Sequence, residues 1–138
     1  MNKYMNIAIK EAKKAYKSGD VPIGCVIVKN NKIISKSHNQ KEIKNSATKH
    51  AEIIAIEKAC KKLKTWHLDE CQIYITMEPC MMCTGAILQS RIKTIYYSIE
   101  NEKFGFLKNI NKKNIQIISG ICASESSYLL KQFFQTKR

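Results

Sequence analysis

Two short runs carry side chains that could do chemistry together: His50-Ala51-Glu52 and Pro79-Cys80-Met81-Met82-Cys83. A Cys-x-x-Cys pair alone fits a redox dithiol, half of a structural zinc site or part of a catalytic one. A zinc ribbon needs a second such pair, and the sequence has none. A thioredoxin-like dithiol needs no remote His-x-Glu. Thiolates from Cys80 and Cys83 with the imidazole of His50 make three protein ligands and leave the fourth position to water, which is the pattern of catalytic zinc. One zinc ion per chain is therefore the expected cofactor, and the pKa of its water falls to about 7. Glu52 lies too near His50 in sequence to be a comfortable co-ligand. It is the candidate catalytic residue, moving a proton between that water and a leaving group.

Helices and strands must bring these runs together. Met5, Ala8, Ile9, Ala12, Ala15 and Tyr16 recur at helical spacing, and Ser18-Gly19 ends that helix. A β-branched run, Ile23 to Lys29, meets a second strand, Lys32 to Ser37, across Asn30-Asn31, a pair that tolerates positive φ in a tight hairpin. A helix is predicted over Ser46 to Leu63 with its entry near Thr48. A buried strand follows at Gln72 to Thr76. Pro79 then pre-sets a helix from Cys80 to Gln89, whose first turn favours thiolates. Strands at Thr94–Ile99 and Ile115–Ser119 precede a terminal amphipathic helix, Ser124 to Gln135, with Leu129, Leu130, Phe133 and Phe134 on one side. Asn101 to Asn114 reads as a loop with a short helix around Phe106. The order predicts a five-stranded mixed sheet between helical layers, its first pair antiparallel and its later strands parallel.

The chain has 138 residues, room for one domain over 1–138, and 44% of them are hydrophobic, as a packed core requires. No run is long and apolar enough to span a membrane, and lysines interrupt the first segment where a signal peptide would need an apolar core. A soluble, cytoplasmic protein is expected. Six cysteines occur; Cys25, Cys60, Cys71 and Cys122 sit among apolar neighbours and are expected to be reduced core residues. His38 and His67 lack ligand context. The net charge of +13 fits a nucleic-acid partner, and a Lys/Ile/Asn-rich codon bias would give it equally well.

The His-x-Glu and Pro-Cys-x-x-Cys pair resembles the zinc nucleobase deaminases. Within that superfamily the chain is most similar to the tRNA adenosine deaminases. The similarity runs through Val21-Pro22-Ile23-Gly24, Asn39, His50-Ala51-Glu52-Ile53, Thr76 to Ala86, Ser90-Arg91-Ile92 and Leu129-Leu130-Lys131-Gln132-Phe133-Phe134. The resemblance implies a three-layer α/β/α cytidine-deaminase-like fold and hydrolytic conversion of adenosine to inosine at the wobble position of a tRNA, an arginine tRNA in the family. It implies His50, Cys80 and Cys83 on zinc and Glu52 as the proton carrier. Asn39 would bond the flipped nucleotide, Ile23, Ala51 and Met77 would wall its pocket, and Phe134 with the basic end of the tail would lie near the RNA. The anticodon stem-loop would be the partner. A homodimer is implied too, with Met81-Met82 and Gly85-Ala86 either packed across it or belonging to the core. The chain departs from the family at Ser98 to Phe106, where Asn101 replaces an aspartate.

A deaminase of a free base or nucleoside would share the zinc site but would need neither the charge nor the Phe133-Phe134 tail. A non-catalytic zinc or RNA-binding module would have no use for Glu52 beside an open coordination position. A dithiol oxidoreductase would leave His50 and Glu52 unexplained.

Overall fold

The computed structural model describes residues 2–136, running helix, two strands, then helices alternating with strands. Helix α1 (Asn2–Lys17) buries Met5, Ala8, Ile9, Ala12 and Ala15 along one stripe and turns most of its lysines to solvent. It lies directly on β1 (Gly24–Lys29). At Gly24 any side chain would collide with the Ala8 carbonyl and the Ala12 amide, so only glycine permits this approach. Strand β2 (Lys32–His38) pairs antiparallel with β1. The turn between them puts Asn30 and Asn31 at φ of 51° and 61°, the backbone that two asparagines predict.

Helix α2 (Ala51–Leu63) starts at Ala51 rather than at Ser46. Residues 40–49 instead close on themselves: Gln40 N–H donates to the Lys49 carbonyl and Ser46 N–H to the Lys41 carbonyl, both at 2.9 Å. His50 therefore caps the helix from an extended backbone and projects its ring beyond the helix end. Strand β3 (Cys71–Met77) leads into α3 (Met81–Gln89), which Cys80 caps in the same way instead of occupying the first turn. After β4 (Thr94–Ile99), residues 100–115 hold only a 3₁₀ turn at Leu107–Asn109, close to the short helix expected around Phe106. Strand β5 (Gln116–Ile118) and helix α4 (Ala123–Thr136) complete the order.

The sheet runs β2-β1-β3-β4-β5. Strand β1 is antiparallel to both neighbours, while β3, β4 and β5 are parallel, so the sheet is mixed as expected. Alternation along the central strands separates two cores. Ile27, Ile73, Ile75 and Ile95 face α2 and α3 together with Ala55 and Ile87, whereas Val26, Val28 and Tyr74 face Met5 and Ile9 of α1. Helix α4 packs beside α1, where Phe133 sets its ring edge-on to Tyr16. The result is three layers, helix, sheet and helix. All six cysteines are free thiols; Cys25 and Cys71 are buried, Cys60 and Cys122 only partly so. Among the described residues no helix is long and apolar enough to cross a membrane.

Candidate active site

The parallel strands end where the antiparallel strand begins. Met77 at the end of β3 pairs with Ile99 at the end of β4, and Gly24 starts β1 beside them. The starts of α2 and α3 converge on the same point. Two serines of β2 fix the first: Ser35 Oγ donates to the Ala55 carbonyl and Ser37 Oγ to the Ala51 carbonyl. Asn39 completes the hold, its Oδ1 accepting the Ala51 N–H at 2.8 Å. Thus β2 sets the position of His50 although the two are far apart in sequence.

His50 Nδ1 lies 3.8 Å from Cys80 Sγ and 3.5 Å from Cys83 Sγ. The three candidate ligand atoms all fall within 4.8 Å of one another. The Cys80 pKa is brought down to about 3 by hydrogen bonds from Cys83 and then His50. The Cys83 thiol is correspondingly pushed far up, by that same contact with Cys80 and by burial. The first contact also raises His50, against the effect of its burial. Glu52 is 4% exposed, and burial pushes its carboxyl up to about 7. Its Oε1 is buried with no hydrogen-bond partner.

That orphaned oxygen is informative. A buried polar atom without a partner costs about 1–3 kcal/mol, so natural structures rarely keep one unless something else occupies the site. Three soft donors around one point, beside a buried carboxylate oxygen without a hydrogen-bond partner, fit a metal ion that keeps an exchangeable position. His50, Cys80 and Cys83 form a metal site of the kind zinc deaminases use.

The comparisons agree. A family model described as MafB19-like deaminase matches residues 1–138. A tRNA-specific adenosine deaminase of Rickettsia bellii is 44% identical, covering 97% of this chain and 99% of its own. One of Bacillus subtilis is 39% identical over 98% of this chain and 89% of its own. A solved structure from work on A-to-I editing by tRNA:A34 deaminases at the wobble position superposes with a TM-score of 0.89. It is 33% identical and covers 94% of this chain and all of that one. The chain belongs to the tRNA-specific adenosine deaminase family.

In this deaminase His50, Cys80 and Glu52 open onto a cavity of about 700 Å³, with Cys83 fully buried behind them. Of the residues expected at the substrate, Ile23, Asn39, Met77 and Phe134 line it. Ala51 is not among the lining residues; its side chain is fully buried in the core, and its tie to the site is the N–H held by Asn39. The basic tail end, Lys137-Arg138, lies outside the described residues. Helix α4 divides its apolar side: Phe133 is buried, while Leu130 and Phe134 line the cavity. His38 is a structural partner, its Nδ1 2.9 Å from the carboxylate of buried Glu11.

Sequence reasoning missed two carboxylates. Asp20 is 1% exposed and accepts the backbone N–H groups of Glu42 (2.8 Å) and Ile43 (3.3 Å), pinning the 40–49 loop at the cavity rim. Glu78 accepts the N–H groups of Asn101 and Leu107, both at 3.2 Å, and so holds the divergent segment against the turn that presents Cys80. Gly105 pairs with Cys80 across that contact; an added Cβ would lie 2.5 Å from the Glu78 carboxylate and the Asn101 carbonyl. Asn101 Oδ1 accepts the Phe104 N–H at 3.0 Å, a local turn bond that an aspartate could make as well. No spacing rule points to either carboxylate. The only sequence signal is an acidic residue beside a motif, at Glu78-Pro79.

Proposed function

We propose that the chain is a zinc-dependent hydrolase that converts adenosine to inosine at the wobble position of a tRNA, an arginine tRNA being the expected substrate. The reading rests above all on the partnerless Glu52 Oε1 beside the His50/Cys80/Cys83 cluster, inside a cavity large enough for a nucleotide. Zinc held by the three ligands supplies the Lewis acidity that makes water nucleophilic near neutral pH. Glu52 takes a proton from the attacking water and returns it to the departing amine, so that water and adenosine give inosine and ammonia. Burial keeps that carboxyl near neutrality, where it can accept and donate in turn. Asn39 is fixed through its Oδ1 and presents its amide to the cavity, where it can bond the extruded nucleotide. Ile23 and Met77 form apolar wall, and Phe134 offers a half-exposed ring at the mouth for the neighbouring RNA.

The 1–138 span acts as one deaminase domain, in the cytoplasm with its tRNA. A homodimer accords with α3, which leaves Met81 65% and Leu88 37% exposed and has open space at Gly85 between them. The decisive test is a substrate comparison. An anticodon stem-loop with adenosine at the wobble position should be converted to inosine, and free adenosine, guanine and cytosine should turn over poorly. Efficient deamination of free guanine or cytosine, with the RNA untouched, would overturn the tRNA reading and leave the metal chemistry standing.

A further inference from the structure

Trp66 is 54% exposed and lies outside the site cavity, so substrate packing there does not explain it. Its ring stacks on His67 with centroids 3.8 Å apart, and the Arg91 guanidinium carbon stands 5.0 Å from the ring centroid. Two positive-φ turns present this group. Lys64 (φ 56°) ends α2 and Arg91 (φ 68°) follows α3. Thr65 Oγ1 accepts the His67 N–H at 3.1 Å, and Leu68 N–H donates to the Ser90 carbonyl at 2.8 Å, tying one loop to the other. The ledge is therefore pre-organised.

Its surroundings select the partner. Lys61, Lys62, Lys64 and Lys93 are exposed around it, and among the described residues neither they nor Arg91 form an ion pair. Two exposed carboxylates stand beside it, Asp69 4.0 Å from the His67 ring and Glu70 3.7 Å from Lys29, against those five cations. These cations would repel the same patch of a second copy, whereas a polyanion would be drawn. A guanidinium over an aromatic face also keeps its N–H edges free for phosphate.

We propose that Trp66, His67 and Arg91, with the flanking lysines, bind the phosphate backbone of the tRNA away from the target nucleotide. This rests on the tRNA reading above. The ledge lies at the ends of α2 and α3 opposite to His50 and Cys80, which cap those helices, and the six residue steps of β3 between the ledge and the Cys80 turn span roughly 20 Å.

The test measures tRNA binding against salt and single-turnover deamination for the full-length protein. Arg91→Ala should weaken tRNA binding about 10-fold and reduce the salt slope by about one. Arg91→Lys should restore the slope, since it returns the charge. Trp66→Ala should weaken binding, and Trp66→Phe should retain it. The rate at saturating tRNA should be unchanged in all four. Unchanged affinity and slope in the alanine variants would overturn the proposal. So would a lower saturating rate or melting temperature with an unchanged slope, the signature of a merely structural role. Loss of a dimer by light scattering with an unchanged slope would assign the ledge to a second copy. A wild-type protein that neither binds nor deaminates tRNA would overturn the tRNA reading itself, whereas failure of the variants alone removes only the ledge.

Discussion

His50, Glu52, Cys80 and Cys83 are fixed at strand ends and helix starts, whereas Phe104 and Phe134, across the same cavity, are 63% and 50% exposed. The first group is held by the backbone itself. Two serines and an asparagine of β2 and the following turn anchor the start of α2, and the β3-to-α3 turn delivers both cysteines. The second group rides on a loop, whose N–H groups donate to Glu78 and Asn101, and on the terminal helix α4, which packs beside α1. The two sides of the cavity are thus built with different stiffness, and perturbing each should leave different traces.

The largest effect belongs to the stiff side. Cys83→Ala should abolish deamination and release the metal, because two remaining ligands cannot hold zinc in a catalytic site. Elemental analysis checks this, and stoichiometric zinc in the variant would remove Cys83 from the ligand set. Glu52→Ala should keep zinc and fold yet slow the chemical step by at least ~100-fold, the low end for losing a general acid–base group. Single-turnover rates decide it, and near-parental activity would place proton transfer elsewhere.

On the softer side, Gly105→Ala should act through position. Its Cβ must displace the Glu78 carboxylate or the Asn101 carbonyl, an overpacking worth about 1–3 kcal/mol. Half-saturating substrate should rise while zinc content stays at the parental level; loss of zinc instead would show that the two sides are not separable. The smallest effect lies beneath both, at Glu11. Burial raises its carboxyl, and hydrogen bonds from His38 and Lys14 more than offset this, leaving the pKa below its ordinary 4.5. A lowered folded pKa stabilises above the ordinary value and is lost as pH falls through the folded one. Glu11→Gln should therefore cost about 1 kcal/mol at neutral pH, and the gap should narrow as the pH falls below the ordinary 4.5, read by urea unfolding.

The stiff side was legible because its residues are local motifs. His-x-Glu and Cys-x-x-Cys name their own chemistry, and the β-branched runs and Asn30-Asn31 announce the strands that carry them. The helix entry expected near Thr48 falls three residues before the observed start at Ala51: the apolar period begins only at Ile53 and leaves the boundary open, and bonds from Ser37 and Asn39 to Ala51 decide where the helix begins. The expectation that Ala51 walls the pocket came from the resemblance alone; its methyl is fully buried, and it meets the site through the N–H that Asn39 holds. Asp20 and Glu78 act on backbone amides more than twenty residues away, an interaction with no composition or spacing signal.

Glu78 reaches the 101–107 segment only through its backbone, and Gly105 offers no side chain at the point of contact. The route of that segment is therefore independent of most of its letters. Lys103 and Phe104, which face the cavity, can be exchanged while the peptide path stays put. Exchange at these positions is expected to leave the metal site in place. A new substrate preference can arise in this scaffold through Lys103 and Phe104 while every atom that holds the metal stays where it is.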